Sequence, residues 1–135
     1  MLVSPRKFKY KKSQKGTIPN KLPSKQQPLR YGTFAIKSLS FGILTSNQIE
    51  AARKLISKKL KKKGKVWITV FTHTPKTKKP VEIRMGKGKG SVDVWISKVR
   101  PGTILYEIEG ASIANAKEIF FEANQKLPIK CKLCY

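Results

Sequence analysis

The sequence is poor in acidic side chains. Its 135 residues include 7 Asp and Glu against 30 Lys and Arg, and the formal net charge is +23. So much charge of one sign repels itself, which implies an anionic partner, with nucleic acid the first candidate and an anionic membrane the second. Most of the acids follow position 90, so the N-terminal end of the chain carries most of the positive field: Asp93, Glu107, Glu109, Glu118 and Glu122.

Groups typical of catalytic sites are also scarce. His73 is the single histidine, and no Ser, Cys or Asp lies near it at a spacing typical of a triad. Glu107 and Glu109 lie two apart on a predicted strand, but no base, nucleophile or ligand accompanies them. Solvated strand charges that meet lysines of the first helix are the better interpretation. We expect a protein that is not an enzyme, has no cofactor and takes no small-molecule substrate.

The cysteines are Cys131 and Cys134, a lone C-x-x-C. Zinc takes about four ligands in structural sites, so this pair supplies at most a weak half-site for a metal. Two ordinary thiols in a terminal strand are favoured, because free Cys commonly behaves as a small hydrophobe.

Long apolar runs are missing too, and none approaches the roughly 20 residues that a membrane-spanning helix needs. We therefore expect no membrane partner.

What the chain does have begins with an irregular basic arm at residues 1–30, which precedes a single domain at 31–135. Pro5, Pro19, Pro23 and Pro28 interrupt regular structure in the arm. We expect the arm to be disordered in isolation and to become ordered on a polyanion; a solvated flexible tail is the alternative. Its candidate RNA contacts are Arg6, Lys7, Lys9, Lys11, Lys12 and Lys15.

The domain shows the order β-α-β-β-β-β-α-β. Thr45 and Gln48 form a capping box that starts the first helix, and Gly64 ends it. Ser112 caps the second helix. Short links between successive strands favour antiparallel pairing, so the predicted class is α+β, with a mostly antiparallel sheet and two helices packed on it. The predicted strands are residues 31–39, 65–71, 81–85, 92–99, 103–109 and 129–133.

The two helices have apolar stripes at helical spacing. In the first helix the stripe is Ile49, Ala52, Ile56 and Leu60, and in the second it is Ile113, Ala116, Ile119, Phe120, Ala123 and Leu127. The outer face of the first helix is densely cationic, which destabilises an isolated helix and suits an anionic partner. Its candidate RNA contacts are Arg53, Lys54, Lys58, Lys61 and Lys62. Trp67 and Trp95 are read as core residues rather than as base-stacking platforms.

The most informative segment is the Gly/Lys loop, Arg84-Met85-Gly86-Lys87-Gly88-Lys89-Gly90. Glycine permits positive φ and close backbone approach, and lysine is a point charge suited to phosphate. The segment lacks the spacing of a nucleotide-binding P-loop and of a dinucleotide fingerprint. All seven residues are candidate RNA contacts; the alternative is a hairpin tip with incidental lysines.

Several further motifs occur in a characteristic order with these. They are Leu44-Thr45-x-x-Gln48-Ile49-Glu50-Ala51-Ala52-Arg53, Gly64 to Phe71, Leu105-Tyr106-Glu107-Ile108-x-Gly110 and Lys126 to Lys130. Nearly end to end, the chain resembles the L-sixteen family of bacterial-type large-subunit ribosomal proteins, relatives of eukaryotic large-subunit protein ten. Thr69 departs from the pattern, since relatives usually have arginine there.

The resemblance implies an α/β-hammerhead type of fold and a structural role in translation. It implies binding to large-subunit rRNA near the peptidyl-transferase centre, contact with tRNA in the aminoacyl site, and neighbouring large-subunit ribosomal proteins as partners. Heavy lysine and isoleucine use fits an A+T-rich organellar genome, so the expected address is a ribosome of the mitochondrial matrix. The plastid stroma and the bacterial cytoplasm are the alternatives, and a general nucleic-acid-binding architectural protein is the alternative function.

Overall fold

The computed structural model describes residues 5–14, 16–18, 27–61 and 63–135. Strands β1 and β2 precede helix α1, and strands β3 to β6 separate it from helix α2, after which β7 follows. The bounds are β1 Phe34–Ser38, β2 Gly42–Thr45, α1 Ser46–Lys59, β3 Lys65–Ile68, β4 Thr74–Lys78, β5 Ser91–Val99, β6 Ile104–Glu109, α2 Ile113–Asn124 and β7 Cys131–Cys134.

These strands form two antiparallel sheets. The four-stranded sheet has the order β3-β6-β1-β7, and the three-stranded sheet has the order β2-β5-β4. Both predicted helices are present, so the predicted α+β class is confirmed. The described arm residues are in neither helix nor strand. The boundary predicted at residue 30 stays a prediction.

The core joins both helices to the four-stranded sheet. Helix α1 contributes the predicted Ile49, Ala52 and Ile56, and α2 contributes buried residues of its own stripe, although Ile113 is 58% exposed. The buried Tyr106 hydroxyl of β6 donates a 2.9 Å hydrogen bond to the Ile49 carbonyl oxygen of α1. Burial raises the pKa of Tyr106 well above its usual value, so the hydroxyl remains a donor.

The start of α1 follows the prediction and its end does not. The Thr45 hydroxyl accepts from the Gln48 N–H at 3.4 Å, and the Gln48 side chain accepts from the Thr45 N–H at 2.9 Å, which completes the capping box. The helix ends at Lys59, with Leu60 as C-cap and Lys61 in the left-handed region at φ 46°. Gly64 instead lies against β6, where a Cβ would be 2.2 Å from the Glu109 carbonyl oxygen.

Around the Gly/Lys loop, the strand prediction was wrong in two places. Residues 74–78, predicted as loop, form β4, while residues 81–85, predicted as a strand, are turns and bends. Pro75 is tolerated because β4 is an edge strand of its sheet. The β4–β5 ladder ends at the Lys78–Ser91 pair, so residues 79–90 are the loop of a hairpin. Strand β2, which is only four residues long, was also missed.

Glu107 was misread as a solvated strand charge. Its side chain lies in β6 and the residue is 1% exposed. One carboxylate oxygen accepts hydrogen bonds from the backbone N–H groups of Arg30, Tyr31 and Gly32 at 3.1, 2.6 and 3.0 Å. Successive N–H groups converging on one anion make a strong binding nest. The buried carboxylate therefore fixes the place where the arm joins the domain.

We predict that Glu107→Ala lowers the free energy of unfolding by at least about 2 kcal/mol, because it leaves three backbone N–H groups without their charged acceptor. Glu109→Ala is the matched control, since it removes the same charge from the exposed end of the same strand. Urea unfolding measures both. Equal stability of the two variants would contradict the role given to Glu107.

Candidate nucleic-acid interface

The Gly/Lys loop has an unusual backbone. Gly86, Lys87 and Gly88 take φ values of +96°, +51° and +89°, three consecutive residues in the left-handed region. A Cβ on Gly86 or Gly88 would meet nothing within 4 Å. These two glycines are therefore required by the backbone conformation and not by lack of space.

The loop presents its side chains to solvent. Met85 is 93% exposed, and Arg84, Lys87 and Lys89 are exposed as well. From the start of the hairpin loop, the Lys79 ammonium donates a 2.6 Å hydrogen bond to the Gly86 carbonyl oxygen. This bond spans the loop and supports the left-handed segment. Cationic and apolar side chains are thus exposed together on a loop that the Lys79–Gly86 hydrogen bond crosses.

The arm holds the base of this loop. The Lys12 ammonium donates a 2.8 Å hydrogen bond to the Lys89 carbonyl oxygen, and the Lys89 ammonium donates to the carbonyl oxygen of Ser13. Both lysines bond to neutral oxygens, so their charges are not cancelled. The arm and the loop therefore form one cationic surface, which we call the arm–loop surface (residues 5–14 and 79–90).

Aromatic pairs attach the N-terminal segment to the sheets. The Phe8 ring lies 4.9 Å from the Trp95 ring of β5, and the Tyr31 ring lies 5.9 Å from the Trp67 ring of β3. These separations are typical of favourable aromatic contacts. Both tryptophans are half-buried and lie outside the core cluster. They were predicted as core residues, but they serve as docking points for residues far away in sequence.

The arm also passes around the three-stranded sheet. Trp95 and Ile96 are adjacent in β5, so their side chains point to opposite faces. Phe8 contacts Trp95, whereas Gly16 and Ile18 line a groove that includes Ile96. The contacts of Lys12 and Ser13 with Lys89 lie between these points, so the arm crosses from one face to the other beside the loop.

The candidate cations divide between two surfaces. Those of the arm and loop belong to the arm–loop surface, with Lys9 also 5.6 Å above the Tyr10 ring. Those of α1 form a second surface beside α2, where Lys54, Lys58 and Lys61 are exposed. Gly90 is half-buried at the end of the hairpin loop. Lys15 and Lys62 lie outside the described residues.

Acids compensate a few cations of α1. The Arg53 guanidinium donates to both carboxylate oxygens of Glu50, at 2.9 and 2.7 Å, and this hydrogen bonding lowers the pKa of Glu50. Of the candidate contacts, Arg53 thus already has a carboxylate partner. Lys59 lies 2.7 Å from both Glu118 and Glu122 of α2, and these hydrogen bonds raise the pKa of Lys59 above its usual range. The two ion pairs of Lys59 join the two helices.

The cysteine pair has the wrong geometry for sharing one ion. Residues three apart in a strand point to opposite faces and lie about 10 Å apart. Cys131 is buried, its thiol donates to the Ile129 carbonyl oxygen at 3.4 Å, and burial raises the pKa of that thiol to about 11. Across the described residues, no three His, Cys, Asp or Glu side chains gather as metal ligands would.

Among those same residues, no helix has both the length and the apolarity to cross a bilayer.

Sequence reasoning missed Phe8, Trp95 and Glu107 as residues that position the surface. Their partners lie 75 or more positions away, and no local pattern marks such pairs. The single available signal was an acid within the apolar run Leu105 to Ile108, because a buried charge needs a compensating partner.

The fold and these surfaces define a small, strongly basic α+β protein of the class that associates with nucleic acid. The family model described as ribosomal protein L16p/L10e matches residues 5–134. The chain therefore belongs to this ribosomal protein family, and it is a structural protein and not an enzyme.

Three similar proteins are each named large ribosomal subunit protein uL16. That of Buchnera aphidicola subsp. Cinara cedri is 45% identical over 129 residues, which cover 96% of this chain and 93% of the relative. That of Buchnera aphidicola subsp. Acyrthosiphon kondoi is 43% identical with the same coverage. That of Halorhodospira halophila is 45% identical, again over 96% of this chain and 93% of the relative.

We predict that Phe8→Ala loosens the arm, because it removes the ring that packs on Trp95. Trypsin should cleave after Lys7, Lys9 or Lys11 several times faster in this variant than in the parent protein. Tyr10→Ala is the control, since Tyr10 is 70% exposed and adjoins the same cleavage sites. Equal cleavage rates for the two variants would show that the Phe8–Trp95 contact does not hold the arm.

Proposed function

We propose that the chain binds large-subunit rRNA through the arm–loop surface and the cationic face of α1, near the peptidyl-transferase centre. Family membership makes it a structural constituent of the large ribosomal subunit. The proposal goes further on the strength of one observation: the arm and the glycine-rich loop are held together by reciprocal lysine–carbonyl hydrogen bonds. Neighbouring large-subunit proteins complete its surroundings.

The chemistry of this surface suits folded RNA. Double-stranded RNA is recognised mainly by shape and by phosphate and 2′-hydroxyl contacts, which favours cations on a preformed backbone over base-reading side chains. The Lys12 and Lys89 charges are offset by no carboxylate in the hydrogen bonds that join arm to loop. Phosphate groups would supply that compensation. A general nucleic-acid-binding architectural protein is the alternative, and it predicts no preference for rRNA over duplex DNA.

The salt dependence of binding tests the role of the arm. Each phosphate contact contributes about 0.7 to 0.9 to the slope of log affinity against log salt concentration. The triple variant Lys7→Ala, Lys9→Ala, Lys11→Ala should therefore bind large-subunit rRNA with a slope smaller by about 2.

The matched control is Lys126→Ala, Lys130→Ala, Lys132→Ala, which removes the same charge from exposed positions near the C-terminus. Filter binding over a salt series measures both variants, with duplex DNA as competitor. A flat salt response of the parent protein would overturn the rRNA proposal. Equal slopes for the two triple variants would show that the arm lysines do not contact rRNA phosphates. Stronger competition by duplex DNA would favour a general nucleic-acid-binding architectural protein.

We infer that the Gly/Lys loop reaches toward tRNA in the aminoacyl site. The loop extends beyond the end of the β4–β5 ladder, and its Arg84 and Met85 side chains are exposed. An exposed guanidinium suits a phosphate or a base edge. Such a protruding, basic and side-chain-poor hairpin loop fits a narrow cleft between RNA elements.

We predict that Arg84→Ala, reconstituted into large subunits, weakens aminoacyl-tRNA binding several-fold while incorporation of the protein is unchanged. Lys132→Ala is the control, because it removes an exposed cation from β7. Equilibrium binding of aminoacyl-tRNA to the reconstituted particles measures the effect. Unchanged tRNA affinity of the Arg84→Ala particles would show that Arg84 does not contact tRNA.

We infer that the chain works in a mitochondrial ribosome, because its heavy lysine and isoleucine use fits an A+T-rich organellar genome. The similar proteins come from bacteria, so the bacterial cytoplasm is the competing address, with the plastid stroma a third. Fractionation of the source cells, with the chain followed by mass spectrometry, separates the three. Recovery in matrix ribosomes supports the mitochondrial address, and recovery elsewhere contradicts it.

A further inference from the structure

A groove of about 400 Å³ lies between the arm and the outer face of the three-stranded sheet. Ile43 pairs with Lys98 across β2 and β5, and Thr74 pairs with Ile96 across β4 and β5. Because side chains alternate along strands, these four residues share one face. The arm supplies the opposite wall through Ser13, Gly16 and Ile18.

The groove leaves apolar surface open. Phe41, immediately before β2, is 50% exposed, and Ile43 is 38% exposed. Ile96 also lines the groove, but it is buried at 2% exposure, so the open apolar surface comes from Phe41 and Ile43. A half-exposed aromatic ring beside aliphatic side chains favours a flat apolar ligand. The volume is enough for one nucleobase and its ribose.

The charge of the lining decides the kind of ligand. Lys76, Lys89 and Lys98 contribute to the walls, and the described lining contains no Asp or Glu. Hydrogen bonding of Lys89 to a neutral carbonyl oxygen leaves its charge in place. A basic protein neighbour would be repelled here, whereas a nucleotide offers a π-face for Phe41 and a phosphate for the lysines. Aromatic rings beside cations are typical of sites for unpaired bases.

We propose that this groove binds one unstacked nucleotide of single-stranded RNA, with its base against Phe41 and its phosphate near Lys76 and Lys98. The site lies beside the base of the Gly/Lys loop, because Lys89 belongs to both, but it does not include the exposed Arg84, Met85 or Lys87 of that loop. The proposal rests on the proposed rRNA binding and adds a base-stacking site to a surface otherwise described by phosphate contacts. Phe41 positions the base, and the neighbouring lysines hold the backbone.

The affinity test uses the full chain and a transcript of Halorhodospira halophila large-subunit rRNA. Phe41→Ala should weaken binding about 5- to 150-fold, the range found when an aromatic ring that stacks on a base is removed. The salt slope should not change, because no cation is lost. Phe41→Tyr should bind like the parent protein, since it keeps the ring.

Phe121→Ala is the matched control, because Phe121 is 68% exposed on α2 and lies outside the groove. Thermal unfolding of each variant verifies the fold. If the parent protein binds with a steep salt slope but Phe41→Ala binds as tightly as Phe121→Ala, the groove proposal falls and the proposed function stands. If the parent protein shows a flat slope, the proposed function itself falls.

A second measurement serves if Phe41→Ala does not fold. Benzoylphenylalanine placed at position 41 should crosslink to a defined nucleotide of the same transcript, mapped by reverse-transcription stops. The same probe at position 121 should give no such stop. Crosslinks from position 41 solely to the chain itself would show that the protein covers its own groove, and they would overturn the proposal.

Discussion

The excess of positive charge is the constraint on which the rest of the structure depends. Thirty cations face seven acids. Several of the acids are used where the fold needs them: Glu118 and Glu122 join α2 to Lys59 of α1, and Glu107 holds the end of the arm. Within the described residues, no cation of the arm or the loop forms an ion pair with a carboxylate, although Glu82 lies in the loop. Such a surface is most stable against a polyanion, which makes binding and folding part of one electrostatic balance.

The arm–loop surface holds its uncompensated cations in a fixed arrangement. Phe8 packs on Trp95, and Lys12 and Lys89 exchange hydrogen bonds with backbone carbonyls across the junction. A loop with three consecutive left-handed residues is thereby supported from its base. The arm that was expected to become ordered on a partner already contacts the domain at these points. Binding to RNA would then cost less conformational entropy than ordering a free tail.

Local signals predicted what is locally determined. The capping box and the apolar stripe of α1, and the Ser112 cap of α2, are features of neighbouring residues, and both helices are present. The misplaced strands depend on pairing: β4 exists because β5 accepts it in spite of Pro75, and residues 81–85 are excluded because the ladder ends at Lys78. The Gly/Lys loop and the cations were visible from composition. The carboxylate of Glu107 was not, because its partners lie 75 to 77 positions away.

The central claim is that the arm and the Gly/Lys loop meet folded rRNA as one surface. The most direct measurement compares lysine acetylation of the free chain with that of the chain assembled in large subunits. The account predicts that Lys12, Lys87 and Lys89 become protected together on assembly, to a greater extent than an exposed lysine of β7 such as Lys132. Equal reactivity of Lys12, Lys87 and Lys89 in the free and the assembled chain would contradict it.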